Sequence, residues 1–430
     1  MWVDEAVSES ACCMGDSRSA IVIGGGLIGC SSAYYLCRDG WDVTLLERQK
    51  IGSGASHGNC GYVCPSHAMP LSGPGVVAHT LPSLFKRHTP LSIPARFDPS
   101  LWKWLLQFTR QCTNARMLHA ANGRNALLAS SMNLYREIVR EEAINCEWTD
   151  LGLLLVYKSA KDFDNYKATA ELLNRQFAIE AISYAGEAVK ELEPSLKAGM
   201  AGGWHFPGDA HVRPDKLLSG LKTAIQRHEG VIRENVEAFS LRRDGARLAS
   251  VETSQGSLTA DVIVLATGAE APQFAEAIGC RLPIQPGKGY SLTMQPLRNQ
   301  PKIPMIFEEH HVAVTPMASG FRVGSTMEFT GYDRSINPKR LALLRKSAAE
   351  HLEEPLPATV DEEWAGWRPM SVDGLPCIGR APGANNLIVA AGNGMIGLAT
   401  APATGKLVAE IASKQTPHIN AEPYSLSRFA

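Results

Sequence analysis

Three glycines at a fixed spacing carry the clearest chemical signal in the sequence. Gly24, Gly26 and Gly29 follow the apolar run Ser19–Ile23, between a predicted strand and a predicted helix. There the first glycine permits a tight turn, the second lets the backbone approach a pyrophosphate, and the third lets helix and strand pack closely. Glu47, 18 residues after Gly29, ends the next predicted strand, where a carboxylate can accept hydrogen bonds from both ribose hydroxyls. The pattern predicts a dinucleotide site.

The surrounding sequence supplies the elements that must position this site. Residues 19–47 predict one βαβ unit, because an apolar β-branched run precedes the glycines and a helix with a late cation and a terminal glycine follows them. Further strands are predicted over residues 151–157, 231–239, 248–253, 260–268 and 386–391, and helices over 100–143, 161–177, 214–228 and 399–412. Strands alternating with helices are typical of an α/β fold.

Two later segments distinguish between the dinucleotides that use this fingerprint. Ala266, Thr267 and Gly268 end a strand more than 200 residues after the first glycine turn, and residues 392–397 form a second glycine-rich turn before the last helix. An NAD-binding domain is usually completed within one half of a chain. Convergence of three distant segments on one ligand therefore favours FAD, whose flavin ring would cross the molecule.

On these motifs the sequence resembles the FAD-dependent amine oxidoreductases of the D-amino-acid oxidase type. The resemblance spans nearly the whole chain and rests on the glycine turn with Glu47 and Arg48, on residues 266–268, on 368–379 and on 390–394. Within that family, residues 58–63 and 288–291 are most similar to the small-subunit type of bacterial D-amino-acid dehydrogenase. The resemblance implies FAD as the cofactor, and the chain is expected to hold it noncovalently.

The same resemblance implies the domain organisation. We expect an α/β fold with α+β elements, in which a Rossmann-type FAD-binding domain is built from residues 18–80, 206–275 and 371–425. A discontinuous mixed-sheet substrate-binding domain would be built from residues 81–205 and 276–370. Residues 1–17 contain four acidic side chains and no apolar run, and they predict a disordered tail.

The residues expected to contact FAD come from these motifs. They are Gly24, Gly26, Leu27, Ile28, Gly29, Glu47, Arg48, Ser53, Ala55, Ser56, Asn59, Cys60, Gly61, Val236, Ala266, Thr267, Gly268, Gly392, Gly394, Met395, Ile396 and Gly397. The turn at residues 392–397 would direct backbone N–H groups and a helix N-terminus to the pyrimidine end of the flavin, where they would stabilise an anionic reduced ring.

Hydride transfer from the Cα of an amino acid needs a cation for the carboxylate and a way to keep the amine neutral. Arg368 is the predicted carboxylate ligand, because a guanidinium matches a carboxylate in bidentate geometry, and relatives that resemble this segment use that arginine so. Tyr290 could donate its hydroxyl to the substrate, or it could be an ordinary core tyrosine. His67 and His57 flank the glycine-rich segment and either could face the flavin. Arg322 is a second carboxylate candidate, although an exposed strand position is the expected one.

The predicted function is oxidation of a D-amino acid, or of a related secondary amino acid such as D-hydroxyproline, to an imino acid. Two alternatives stay open: a flavin disulfide reductase that uses Cys60 and Cys64, and a noncatalytic FAD-binding subunit of a larger complex. The first lacks a second glycine fingerprint for a nicotinamide between residues 140 and 260. Cys377 does not match the expected position of a covalent flavin link.

Composition excludes several other classes of protein. With 42 basic and 43 acidic residues the net charge is −1, which argues against a nucleic-acid-binding face. No apolar run reaches the roughly 18 residues of a membrane-spanning helix, and scattered cysteines predict no metal site. We expect a cytoplasmic enzyme, with peripheral contact to the inner membrane left open, that passes electrons from its amino-acid substrate to oxygen, a quinone or a partner flavoprotein.

Overall fold

The computed structural model of the protein describes residues 18–76, 91–94 and 97–429. The tail predicted for residues 1–17 lies outside these described residues.

Helices and strands are numbered here in chain order. The strands are β1 (Ser19–Ile23), β2 (Asp42–Glu47), β3 (Tyr62–Val63), β4 (Leu91–Ser92), β5 (Leu153–Tyr157), β6 (Ile182–Ala185), β7 (Gly202–Phe206), β8 (Ala210–His211), β9 (Val231–Glu234), β10 (Ala238–Asp244), β11 (Arg247–Thr253), β12 (Gly256–Leu258), β13 (Val262–Leu265), β14 (Ile284–Met294), β15 (Met305–Phe307), β16 (Val312–Met317), β17 (Gly320–Glu328), β18 (Glu362–Ser371), β19 (Cys377–Arg380) and β20 (Leu387–Ala391). The α-helices are α1 (Leu27–Arg38), α2 (Pro99–Gln111), α3 (Asn114–Glu141), α4 (Ala160–Phe177), α5 (Ala188–Leu192), α6 (Pro214–Arg227), α7 (Ala275–Ile278), α8 (Pro338–His351) and α9 (Ala401–Ala412).

A six-stranded sheet carries the first glycine turn. Its strand order is β19-β20-β13-β1-β2-β9, and every pair except β19 with β20 is parallel. Ile23 at the end of β1 lies between Leu46 of β2 and Leu265 of β13. Because these strands are parallel, the loops that follow them meet at one edge of the sheet, which is where ligands bind in such folds.

A larger mixed sheet has the order β18-β14-β17-β16-β15-β5-β7-β6, with β4 beside β17. The long strand β14 pairs with β17 and β18 in antiparallel register, and almost every one of its residues is buried. Helix α8 packs on one face of this sheet, through residues such as Leu344, which shares a core with Leu292 and Val323. The opposite face is therefore available to a ligand.

The two sheets draw on the ranges of the chain expected for the two domains. Strands of the six-stranded sheet come from residues 19–47, 231–234, 262–265 and 377–391. Helix α3, however, lies in the range assigned to the substrate domain and yet packs with the core of the six-stranded sheet, where Leu127 and Tyr135 belong to the same hydrophobic core as Leu407 of α9. Position along the chain does not reveal which sheet a connecting helix covers. The domain division itself stays a prediction.

Three predicted elements differ from the observed ones. The strand predicted over residues 231–239 is interrupted at Asn235, whose φ of 60° turns the chain between β9 and β10. The helix predicted over 100–143 is two helices, because Thr113 caps α3 by accepting a hydrogen bond from the Arg116 N–H. The last helix begins at Ala401 rather than at 399, after a separate 3-10 turn over Gly394–Ile396.

Candidate active site and cofactor cradle

One large cavity of about 1500 Å³ lies between the two sheets. That volume exceeds the roughly 300–1,000 Å³ of most small-ligand pockets. Its lining runs from the glycine turn and Glu47, past residues 53–69, to the mixed sheet and Arg368, and it includes the C-terminal turn at 393–398. The cavity therefore suits a long cofactor together with a small substrate.

The glycine turn has the geometry that the sequence predicts. Gly24 has a φ of 109°, and a Cβ there would lie 2.5 Å from the Ala266 carbonyl oxygen. Helix α1 begins directly after Gly26, and the backbone N–H of Leu27 donates to Ser56 Oγ at 3.0 Å. A side chain at Gly24 would clash with β13, so the close approach of these strands needs glycine.

Glu47 ends β2 at the edge of the cavity. The backbone N–H groups of Gly25 and Gln49 donate to its two carboxylate oxygens at 2.8 and 2.9 Å. Each oxygen keeps a further acceptor site, so the carboxylate is held in place and can still accept a ribose hydroxyl. Its neighbour Arg48 instead forms an ion pair with Glu270 at 2.7 Å.

An unsatisfied polar atom supports a ligand in this cavity. The hydroxyl oxygen of Thr267 lines the cavity, is buried, and has no hydrogen-bond partner among the described residues. Buried hydroxyls are normally paired, so this one fits a group that accepts or donates a bond from the cavity. Together with the glycine cradle, it fits a bound dinucleotide.

The second glycine-rich turn lies beside the cavity before α9. Gly392 and Gly394 have φ values of 85° and 56°. Between them the Asn393 amide donates to the Thr400 and Thr404 hydroxyls at 3.1 and 3.2 Å. These bonds tie the turn to the first residues of α9 and fix its shape against the cavity.

Most of the residues predicted to contact FAD line the cavity. Those that do are Gly24, Gly26, Leu27, Ile28, Glu47, Arg48, Ser53, Ala55, Ser56, Asn59, Cys60, Val236, Ala266, Thr267, Gly268, Gly394, Met395, Ile396 and Gly397. Gly29, Gly61 and Gly392 do not reach it. Gly61 has a φ of 81° and packs against the Val212 carbonyl, so these three glycines shape the backbone behind the cavity wall.

Arg368 extends from β18 across β14 and lines the cavity. Its guanidinium lies over Gly289, where any Cβ would collide with it, and Nη1 donates to the Thr326 carbonyl at 2.7 Å. Removal from bulk water lowers the pKa of Arg368, an effect that nearby Cys60 opposes, but arginine stays charged at any working pH. No carboxylate of the described residues pairs with it, so this cation is available to a ligand.

Tyr290 also lies beside the cavity, but its hydroxyl has a partner. The O–H donates to Glu328 Oε2 at 2.5 Å, and Arg340 donates to the other oxygen of that carboxylate at 2.8 Å. Burial and the bond to Glu328 raise the pKa of Tyr290. The hydroxyl thus belongs to a buried network under β14 rather than to an open donor position.

His67 belongs to a hydrogen-bond chain that leads away from the cavity. Its Nδ1 is 3.2 Å from Ser66 Oγ, which is 2.5 Å from Oδ2 of the fully buried Asp209. Burial lowers the pKa of His67 to about 4, helped by the positive charge of Arg124, which donates to the His67 carbonyl at 2.7 Å. Burial raises the pKa of Asp209 to about 7, against the opposing bonds from Ser66. The imidazole is therefore neutral and linked to a carboxyl group that titrates near neutrality.

Two other candidates are placed outside the cavity. Arg322 is 1% exposed, so the exposed strand position expected for it is wrong. Its Nη1 donates to the His57 and Asn59 carbonyls at 3.0 and 2.7 Å, which pins the glycine-rich loop to β17. His57 does not line the cavity, because its Nε2 is engaged with Glu362 at 2.6 Å.

Neither Cys60 nor Cys64 has an activated thiol. Cys60 and Cys64 are both free, and burial raises the pKa of each, well above its usual range for Cys64. A disulfide reductase needs a thiolate, which these surroundings disfavour. Cys377 is fully buried on β19 and does not line the cavity.

Thr326 and Glu308 are among the cavity-lining residues that the sequence did not predict. Thr326 and its neighbour Ser325 have positive φ values of 49° and 94°, at an irregularity in the pairing of β14 with β17. Such a bulge leaves no signature in the sequence. Glu308 follows the short strand β15, and only the topology shows that this strand end faces the cavity. No group of metal-ligating side chains occurs among residues 18–76, 91–94 and 97–429.

A glycine cradle at the carboxyl edge of a parallel sheet, a ribose-directed carboxylate and a cavity-lining arginine without a carboxylate partner among the described residues define a flavin-dependent oxidoreductase with a Rossmann-type domain. The chain belongs to the family described as DAO, FAD dependent oxidoreductase, which it matches over residues 19–411. It is 34% identical over 420 residues to a D-amino acid dehydrogenase of Azorhizobium caulinodans, covering 95% of this chain and 99% of that one. It is 32% identical over 423 residues to one of Methylobacterium nodulans, with 95% and 98% covered. The predicted family and FAD dependence are confirmed.

Solved structures share the fold. Glycine oxidase from Geobacillus kaustophilus superposes with a TM-score of 0.77 at 22% identity, covering 96% of this chain and all of that chain. L-proline dehydrogenase from P. horikoshii gives a TM-score of 0.71 at 20% identity, covering 96% and 98%. The predicted α/β class, a Rossmann-type domain with a mixed-sheet domain, is confirmed.

Proposed function

We propose that the protein oxidises D-amino acids to imino acids, with noncovalently bound FAD. The observation that carries this proposal is the Arg368 guanidinium, a cation without a carboxylate partner among the described residues, directed into the cavity from the mixed sheet. The names of the curated relatives support the D-amino-acid substrate class. Cys377, buried away from the cavity, supports noncovalent binding.

The protein's own residues would prepare the substrate for one chemical step. When bound, FAD supplies the acceptor for the hydride that leaves the substrate Cα. Arg368 holds the carboxylate and so orients that carbon. His67, whose Nε2 has no partner in the described part of the chain, would relay the proton of the substrate ammonium without remaining charged: Nε2 accepts that proton while Nδ1 passes one to Ser66 Oγ. The Ser66 hydroxyl in turn passes its proton to Asp209, whose raised pKa suits a proton acceptor near neutral pH.

The domain division follows from the same proposal. The six-stranded sheet, with residues 18–80, 206–275 and 371–425, would hold FAD, and the mixed sheet would hold the substrate. Helix α3 is the exception, because it covers the cofactor-binding sheet. Residues from both sheets line one cavity, which supports a reaction at their boundary.

Arg368→Ala and Arg368→Lys test the proposal directly. Without Arg368 the substrate carboxylate would be buried unpaired, and the loss of ~2 to 5 kcal/mol of transition-state stabilisation should lower kcat/KM about 30-fold to several thousand-fold. Lysine should rescue little, since a point charge does not fix both carboxylate oxygens. Anaerobic flavin bleaching by a D-amino acid is compared with bleaching by the matching amine without a carboxylate. Wild type should prefer the acid and Arg368→Ala should not; an Ala variant with full preference excludes this role.

We further propose that the electron acceptor is a quinone reached at a membrane surface. Within the described residues no helix is long and apolar enough to cross a membrane. Helix α2, however, exposes Trp102 and Leu106 by 57% and 55%, next to Lys103 and Arg110. Apolar side chains flanked by cations are typical of interfacial helices, and Trp102 also lines the cavity. Flotation with anionic vesicles should capture the protein, and Trp102→Ser with Leu106→Ser should abolish capture.

The two other functions make different predictions. A disulfide reductase would be reduced by NADPH and would need Cys60 and Cys64, and a noncatalytic subunit would bind FAD but show no bleaching with any amino acid. A purified yellow protein that is bleached by D-amino acids and ignores NADPH excludes both.

A further inference from the structure

The mixed sheet presents a floor of small and apolar residues to the cavity. Leu155, Ile306 and Ala313 are neighbours in register on β5, β15 and β16, and all three line the cavity. Ala313 pairs with Gly324 of β17 on the same face. Because Ala313 and Gly324 have little or no side chain, a substrate has room to lie across this part of the sheet.

The two ends of this floor carry opposite charges, Arg368 at one end and Glu308 at the other, and they lie opposite each other across the strands. The Arg368 guanidinium is held at one end by the Thr326 carbonyl on β17. Ser325, Val312 and Phe307 are in register across β17, β16 and β15. Strands β17 and β15 run in the same direction, so the residues that follow, Thr326 and Glu308, also lie opposite each other across β16. Two steps of ~4.8 Å between strands separate them by roughly 10 Å. That is about the reach of a lysine or arginine side chain beyond its carboxylate.

Glu308 is the negative end of the floor. It lies two residues after Ile306, on the face that lines the cavity. Its only charged partner among the described residues is His311, whose Nδ1 is 3.7 Å away and whose side chain is 66% exposed. The adjacent Glu309 differs, because the backbone N–H groups of Lys158 and Ser159 donate to it at 2.6 and 2.9 Å.

The environment of Glu308 favours a cationic partner. Burial raises the pKa of Glu308; the positive charge of His311 opposes this effect, and the negative charge of Glu309 adds to it. Tyr166 of α4 lines the same part of the cavity, and an aromatic face attracts a cation. A carboxylate that lacks hydrogen-bond donors gains the most from a ligand that supplies them.

We propose that Glu308 selects amino-acid substrates with a cationic side chain, an ammonium or guanidinium that spans the floor from Arg368. This inference rests on the proposed function and assigns its substrate class. The methylene groups of such a side chain would lie over Ile306 and Ala313.

Binding of an unreactive ligand tests the subsite without the reaction. 6-Aminohexanoate carries a carboxylate and an ammonium spaced as in lysine, and hexanoate lacks the ammonium. Titrated into the FAD-loaded protein and followed by the flavin absorption spectrum, 6-aminohexanoate should bind about 10-fold or more tightly than hexanoate. Glu308→Gln should abolish that preference. The matched control Glu350→Gln removes a carboxylate that pairs with Lys158 and His310 outside the cavity lining, and should keep it.

Reduction by substrates then separates this inference from the proposed function. Bleaching by D-lysine should be faster than by D-norleucine at low concentration in wild type, and equal in Glu308→Gln. If no D-amino acid bleaches the flavin but the preference for 6-aminohexanoate depends on Glu308, the proposed function fails and the cation subsite stands. Equal binding of the two ligands by wild type, or a preference that Glu308→Gln retains, overturns the subsite.

Discussion

Replacing Gly289 by alanine would test the carboxylate-binding geometry without removing any charge. An added Cβ at this position of β14 would lie 2.5 and 2.6 Å from Nη2 and Nη1 of Arg368. Non-bonded carbon contacts are favourable only at ~3.5–4.0 Å, so the guanidinium would have to move by about 1 Å. Because the colliding atoms are the end of a flexible side chain, the fold should survive and the charge should stay in the cavity.

The expected loss can be estimated from that displacement. A 1 Å misplacement of a group that orients the substrate can cost about 100-fold in rate, which corresponds to about 2.7 kcal/mol. The displacement would also break the 2.7 Å bond to the Thr326 carbonyl, and bonds to charged groups contribute ~1.5–3 kcal/mol. Both routes predict that Gly289→Ala lowers kcat/KM for a D-amino acid about 100-fold while FAD content is unchanged.

Gly287→Ala is the matched control on the same strand and the same face. Its Cβ would meet Met327 and Met370 at 2.8 Å, and flexible thioether side chains adapt to such crowding. This variant should therefore keep kcat/KM within about 3-fold of wild type. Stopped-flow reduction under anaerobic conditions measures both variants. A Gly289→Ala enzyme with wild-type kcat/KM and normal flavin content would refute the assigned position of Arg368.

Three further outcomes are expected. Glu47→Ala should weaken FAD retention without unfolding the protein, since a methyl group cannot accept from a ribose hydroxyl; full flavin content after gel filtration would contradict the ribose contact. Cys60→Ser with Cys64→Ser should still be bleached by substrate, because no thiolate takes part; loss of bleaching with flavin bound would favour the disulfide reductase. Burial raises the pKa of Asp209 to about 7, so its proton stabilises the folded state fully below about pH 4, and this stabilisation is lost as pH rises to 7. The free energy of unfolding of Asp209→Asn, relative to that of wild type, should therefore rise by on the order of 3 kcal/mol between pH 5 and pH 8. Thermal midpoints of the two proteins at each pH measure this difference; a difference that does not change with pH would show that Asp209 has no raised pKa.

The cofactor cradle could be predicted from the sequence because its constraints are local. The spacing of Gly24 to Gly29 and the position of Glu47 follow from one βαβ unit, and the structure has the predicted turn. Nineteen of the predicted contact residues line the cavity, and those beyond this unit come from the later motifs rather than from local spacing. Gly29 and Gly61 fall behind the wall, since a glycine needed for backbone shape looks the same in sequence as one that touches a ligand.

The residues on the substrate side were harder to predict from the sequence, because their positions depend on how distant strands pair. Arg322 has the residue type expected of a carboxylate ligand, but the register of β17 directs it to the carbonyls of the glycine-rich loop. Tyr290 is beside the cavity, yet Glu328, 38 residues away in sequence, engages its hydroxyl. The proposed role of Glu308 depends on the register that places β15 opposite β17 across β16. Long-range register of this kind has no local pattern.

The strand order of the six-stranded sheet also constrains how the protein is made. Strand β1 is the centre of the sheet, but one of its edges stays unpaired until β13, over 200 residues later, has been synthesised. The last glycine turn, at Gly394–Ile396, is synthesised later still. Contacts this distant in sequence form slowly, and an exposed strand edge is prone to wrong pairing. The nascent chain must therefore protect the open edge of β1 at least until β13, which ends at Leu265, has been synthesised.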